Sequence, residues 1–298
     1  MSVSRVWVLN FDAEAELATG RRAPVPFLGR PSWIAHGDLV LDGAGPGPGE
    51  GVLPASGRDG VAWCPTPDAL RLLRAAGARR LPRAPAEPTL RAANARETFA
   101  DLHPLAAFGA SVAETSGEVE AALRRPALPR HSSRAPAWWL RESLCAAGQG
   151  RFLAERWTRE SAAWTERAFE SGPVHVLPVV DIEEEFSAHA FLFSSGATAF
   201  GRHVGQVVRG GSWRSAEPLA DSIPELETVL GEVEARLRAM DYAGPVGVDG
   251  FRWRDADGAS HIAAGTDINA RYTMSMGAAF DEVPTEWDAP RGPSQLTP

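Results

Sequence analysis

Gly247-Val-Asp249-Gly-Phe251 and, one turn later, Asp267-Ile-Asn269-Ala-Arg271 are the stretches that decide how this chain is read. If residues 261–269 form a strand, side chains alternate across it, so Asp267 and Asn269 share a face. A hairpin loop centred near Gly258, within Asp255-Ala-Asp257-Gly258-Ala-Ser260, then sets Asp249 of the preceding strand opposite Asp267. Two carboxylates and an amide oxygen converge, with the Arg271 guanidinium one step along. Hard oxygen ligands of this kind suit Mg²⁺ (or Mn²⁺) carrying phosphates, and Arg271 suits phosphate charge. Asp and Asn are also turn formers, and residues 255–258 are a turn on any reading. A purely structural role for these acids therefore stays open at this point.

Taken whole, Tyr242-Ala-Gly-Pro-Val-Gly-Val-Asp249-Gly-Phe, the hairpin, and Asp267-Ile-Asn269-Ala-Arg271-Tyr-Thr-Met resemble the closing motif of the ATP-grasp superfamily. Upstream, Ala137-Trp-Trp-Leu-Arg141 and then Ala147-Gly148-Gln-Gly150-Arg151 are similar to the family's strand bearing a basic residue and its glycine-rich phosphate loop. Glycines in such a loop let backbone N–H groups approach phosphates. The β-rich run at residues 174–180, followed by Glu185-Phe-Ser187, resembles the passage from the adenine hinge into the C-terminal lobe. The resemblance covers roughly residues 90–280.

It implies an enzyme that uses ATP to activate a carboxylate as an acyl phosphate, which an amine then attacks. An amino acid or small peptide is the implied substrate, with small-molecule or peptide carboxylates and amines as partners, and a homodimer is compatible with it. Asp249, Asp267 and Asn269 become the Mg²⁺ ligands, and Arg271 and Arg141 the catalytic cations. Arg96, Arg141, Gly148, Gly150, the backbone of residues 178–181 around Val179, and Glu185 become the ATP contacts.

The sequence departs from the family pattern in three places. Asp267 stands where the family has Glu, one methylene shorter. Pro178 stands near the place of the hinge acid. The family's two phosphate lysines are absent, because the chain has no lysine and all 30 of its Lys-plus-Arg residues are arginine. Arg141 and Arg96 occupy the corresponding places, offering a planar fork instead of a compact charge. Drift in a GC-rich genome, or avoidance of self-modification by an enzyme acting on amines, would each account for the missing lysines. A nucleotide-binding pseudoenzyme of the same fold is the alternative these departures leave open.

Composition sets the remaining bounds. With 298 residues the chain has room for one large or two to three small lobes. Its formal net charge is -8 and no basic stripe appears, which argues against direct nucleic-acid binding. No apolar run is long enough to span a bilayer, and the start lacks a signal-peptide pattern, so a cytoplasmic protein without a membrane partner is expected. Cys64 and Cys145 fit no metal or redox spacing, and the seven histidines fit no zinc pattern.

The expected fold class is α/β, passing to α+β in the C-terminal half. It comprises an N-terminal, pre-ATP-grasp Rossmann-like lobe at residues 1–90 and an ATP-grasp region at 91–280. The latter divides into a small central lobe (128–180) and a C-terminal antiparallel sheet lobe (181–280), with a poorly ordered polar tail at 281–298. Residues 43–51 are expected to be a flexible loop despite a superficial dinucleotide-binding look, because proline breaks the required strand–turn–helix context. Helices are expected after an Asp68 cap, after capping boxes at Thr115–Glu118 and Ser222–Glu225, and across residues 155–170.

Overall fold

A computed structural model describes residues 4–21, 30–42, 55, 57–126, 128, 136–145, 149–209 and 212–288. The first lobe opens with β1 (Arg5–Leu9), α1 (Ala13–Thr19), β2 (Leu39–Asp42), β3 (Asp59–Ala62) and α2 (Pro67–Ala75). Its three strands form a parallel sheet in the order β2-β1-β3. The apolar run Val-Trp-Val-Leu makes β1 the buried centre, as residues hidden on both faces of a parallel sheet must be. The cap of α2 is Thr66 and not Asp68. Its hydroxyl accepts from the Ala69 N–H at 3.4 Å, and Pro67 fixes the first turn.

The chain continues through α3 (Glu87–Asn94) and two 3-10 turns at Arg96–Leu102 and Pro104–Phe108, then reaches a second sheet. This sheet contains β4 (Ser111–Ala113), β5 (Trp138–Arg141), β6 (Arg151–Ala154) and β7 (Val174–Pro178), in the order β4-β7-β5-β6. Two helices cover it, α4 (Ser116–Leu123) and α5 (Arg159–Ala168), each opened by a capping box. The central lobe thus begins before residue 128, because β4 pairs with β7. Helix α5 is shorter than the expected 155–170: Thr158 caps it and leaves Trp157 outside. Trp157 and Trp164 still pack on the same apolar core.

The third layer is antiparallel. Strands β8 (Asp181–Leu192), β9 (Thr198–Phe200), β10 (Val204–Arg209), β11 (Ser212–Pro218), β12 (Gly244–Arg254) and β13 (Ser260–Asn269) run in the order β11-β10-β8-β12-β13, with β9 on β8. Helix α6 (Pro224–Ala239) buries Leu226, Leu230, Val233 and Leu237 against it, a stripe at helical spacing. Each such side chain contributes about 1.5–3 kcal/mol of burial. The Ser222–Glu225 capping box does not form. Pro224 starts the helix one position later, and the Ile223 N–H is taken by His203 Nδ1 at 2.8 Å. A short α7 (Met276–Ala279) follows β13.

Strand β13 carries a two-residue bulge. From Gly250↔Ala264 onward the hairpin is centred on Asp257, and continued regularly it would set Asp249 opposite Gly265. Gly265 has φ +83°, and with Thr266 it bulges out, so that Asp267 takes the place opposite Asp249.

The polar end of the chain is not loose throughout. Thr285 is fully buried, Trp287 Nε1 donates to the Gly60 carbonyl at 2.9 Å, and Arg5 bonds Asp288 at 2.7 Å. Apolar and ionic contacts of this kind hold residues 283–288 on the first lobe despite their composition. Residues 289–298, and the loop expected at 43–51, lie outside the described residues. Among the described residues, no helix is long and apolar enough to cross a membrane.

Candidate active site

A cleft of about 270 Å³ opens between the four-stranded and six-stranded sheets. Trp139, Leu177, Pro178, Val180 and Ile182 give it an apolar end. Arg141, Glu185, Gln206, Asp249 and Asp267 line the rest. An apolar slot leading to convergent charged groups is the usual form of a small-molecule site.

The carboxylates sit where alternation and the bulge put them. Asp249 and Asp267 are directly cross-strand, and Asn269 donates from Nδ2 to Asp249 Oδ2 at 3.0 Å. On the other side Gln206 Nε2 donates to Asp249 Oδ1 at 2.9 Å. Gln206 belongs to β10 and matches no motif, so nothing in the sequence singled it out. Burial, and then the Asp267 charge, push the Asp249 carboxyl up to about 7. Among the described residues, no cationic side chain forms an ion pair with Asp249, and the nearby Arg271 charge offsets the rise only in part. Burial acts on Asp267 in the same sense, but Arg96 and Arg141 outweigh it and hold Asp267 well below the usual carboxylate range. Their Nη2 atoms reach Asp267 Oδ2 at 3.1 and 3.0 Å.

Among the described residues, no cluster of three or more His, Cys, Asp and Glu side chains is arranged to hold a metal. The set here is two carboxylates and an amide, hard donors whose chemistry fits a Mg²⁺-class ion that takes its remaining ligands from water or phosphate.

The other residues singled out in the sequence fall in different places. Arg141 projects from β5 into the cleft. Arg96 is largely spent on the protein itself, donating to the carbonyls of Glu142 (2.8 Å), Ser143 (3.3 Å) and Cys145 (3.1 Å). It anchors the base of the β5–β6 connection. Gly150 closes that base at φ +54°, where a Cβ would lie 2.5 Å from Cys145 Sγ. Gly148 lies outside the described residues. Val179 is buried, and its N–H donates to the Ala137 carbonyl at 2.9 Å, while its neighbours Pro178 and Val180 face the cleft. Glu185 lines the cleft on β8, its carboxyl raised by burial and partly offset by Arg151.

Arg271 lies just past β13, and its fork is engaged by Glu14 of α1. Burial works against its charge, and Glu14 more than restores it, so its pKa is raised. The pair is largely inaccessible, with side chains 13% and 5% exposed. The sequence offered no signal for this contact, since acids in a first helical turn are ordinarily explained by the helix dipole.

These three sheets, with the cleft between the second and third, have the ATP-grasp fold. No family model matches the sequence, and no curated protein matches it. Among solved structures, N5-carboxyaminoimidazole ribonucleotide synthetase from Thermus thermophilus is similar at 19% identity. The match covers 91% of this chain and 72% of that one, with a TM-score of 0.50. N5-carboxyaminoimidazole synthetase from Staphylococcus aureus, complexed with ADP, gives 12% identity over 92% and 72% of the chains, with a TM-score of 0.49. D-alanyl-alanine synthetase A from Vibrio cholerae gives 12% identity over 90% of each chain, with a TM-score of 0.48. At these identities the likeness is one of fold.

Proposed function

We propose that this protein is an ATP-dependent ligase that activates a carboxylate as an acyl phosphate for attack by an amine, on an amino acid or small peptide. The observation that carries this is the convergence of Asp249, Asp267 and Asn269 at the charged end of the cleft, set by the bulge at Gly265 and Thr266. Asp249 and Asp267, with Asn269 offering Oδ1 in place of its N–H, would hold Mg²⁺. That ion supplies Lewis-acid neutralisation of phosphate oxygens. Arg141 adds fixed positive charge where the transferred phosphoryl group needs it, and Arg96 holds both Asp267 and the loop base in position. The apolar end around Pro178, Val180 and Ile182 would receive the base, with Glu185 near the ribose. Such a reaction depends on positioning and electrostatics and needs little acid–base chemistry.

A second reading, nucleotide binding without turnover, is favoured by one observation: Arg271 and most of Arg96 are engaged by Glu14 and by backbone carbonyls. Mg-dependent ADP release with a panel of amino acids, beside calorimetry with ATP and Mg²⁺, separates the two. Asn269→Ala removes one hydrogen bond of about 1 kcal/mol and leaves the fold intact. Under the ligase reading it abolishes Mg-dependent ADP release, and unchanged turnover refutes the metal assignment.

A further inference from the structure

Behind Arg141 a recess of about 20 Å³ lies between the 3-10 turns and β13, lined by Arg96, His103, Arg141, His175, Thr266 and Asp267 among others. Among the described residues, three buried polar atoms on its lining have no hydrogen-bond partner: Arg96 Nε, His103 Nε2 and His175 Nε2. His175 is only 4% exposed. Buried polar groups are rarely left this way, and three around one recess ask for an occupant.

The chemistry of the occupant follows from the donors. His103 Nδ1 accepts from the Leu105 N–H at 3.2 Å, so in the neutral ring the proton sits on Nε2, which becomes an unmet donor. Both rings are neutral: burial, and then the nearby arginines, bring His175 down to about 3. Burial and then Arg141 bring His103 down to about 4. Arg96 Nε–H is a second unmet donor, and the Arg141 guanidinium stands beside it. One oxygen of each carboxylate nearby is already engaged. Asp267 Oδ2 takes both arginines, while Glu97 is bound to the Ser143 hydroxyl and approaches His175 Nε2 no closer than 4.0 Å. A water accepts two hydrogen bonds but demands acceptors for its own two protons. A monatomic anion accepts from every donor and demands none. The volume admits an atom-sized ligand and excludes a phosphate.

We propose that this recess is a binding site for one small monovalent anion of halide size, seated on His103 Nε2, Arg96 Nε and the Arg141 guanidinium.

Bromide is the probe. Crystals of the nucleotide-free protein soaked in sodium bromide are expected to give an anomalous bromine peak in contact with His103 Nε2 and Arg96 Nε. In solution, chloride is expected to raise the melting temperature saturably, by about 2–4 °C over gluconate at equal ionic strength. His103→Leu and His103→Phe are expected to abolish that difference. The wild-type diffraction result stands whether or not these variants fold. A recess holding water only, a bromine peak appearing only at molar concentration, or a chloride effect that gluconate reproduces or His103→Leu retains, overturns the assignment.

Discussion

Asp249→Asn is expected to stabilise the ligand-free protein at alkaline pH while destroying its response to nucleotide. Burial and Asp267 raise the Asp249 carboxyl to about 7. The value in the unfolded chain is about 3.9, so the folded state prefers the protonated form. Stability from this group is therefore fully present below about pH 4. It is lost as pH rises toward 7, at about 1.4 kcal/mol per unit, or roughly 4 kcal/mol as an upper bound. Asparagine cannot ionise and recovers that loss. It also places an NH₂ where one of two amide donors now points, Gln206 Nε2 at 2.9 Å or Asn269 Nδ2 at 3.0 Å. That mismatch costs about 1–2 kcal/mol. The net expectation at pH 8 is a gain of about 1–3 kcal/mol, a rise of roughly 2–8 °C in melting temperature. At pH 4.5 the gain is absent and the mismatch leaves a small loss. Wild type with Mg·ATP at a hundredfold excess over Kd gains about 2.7 kcal/mol, and the variant gains nothing. Calorimetric melting at both pH values, with and without Mg·ATP, reads all of this. A loss of the same size at pH 4.5 and 8, or a retained Mg·ATP shift, refutes the reasoning.

Further outcomes follow from other positions. Arg141→Lys keeps the charge but cannot reach phosphate and Asp267 with one planar fork, so KM for ATP is expected to rise in steady-state assays; unchanged kinetics would make the arginine a product of drift. Gly250→Ala places a Cβ 2.7 Å from Phe186 and 2.8 Å from the Ala263 carbonyl, and is expected to lower stability by about 1–3 kcal/mol in urea unfolding. Asp59 is 1% exposed and held by Arg79 and Arg80, which keep its carboxyl well below the usual range. Its stabilisation is present above its unfolded value and lost as pH falls toward the folded one. Asp59→Asn is thus expected to melt lower than wild type at pH 7, with the gap closing in acid titration.

The facing of Asp249 and Asp267 was legible because strand alternation is strict, yet the means was not. A regular hairpin centred near Gly258 gives that pairing, whereas the molecule uses a turn one residue earlier and a bulge at Gly265 and Thr266. Hydrophobic periodicity carries no information about a bulge. The stripe of α6 was likewise readable from residue spacing, whereas the strand bearing Arg141 was read from the family resemblance. Contacts distant in sequence were not: Glu14 with Arg271, Gln206 with Asp249, and the rings of His103 and His175 meet only through tertiary packing. The missing Ser222–Glu225 box shows local chemistry overruled by a neighbour, because Pro224 and His203 together set where that helix begins.

One apolar core runs unbroken from Trp7 of β1 and Trp63 just past β3, through Tyr272, to Leu226 and Leu237 of α6, while the four-stranded sheet keeps a separate core of its own. Trp7 and Tyr272 meet edge to face at 5.2 Å, and residues 283–288 strap the same seam from outside. The parallel and six-stranded sheets therefore share one packed interior. Strands β4 to β7 fold around a core of their own, so a cavity opened there is expected to spare the packing of the other two sheets.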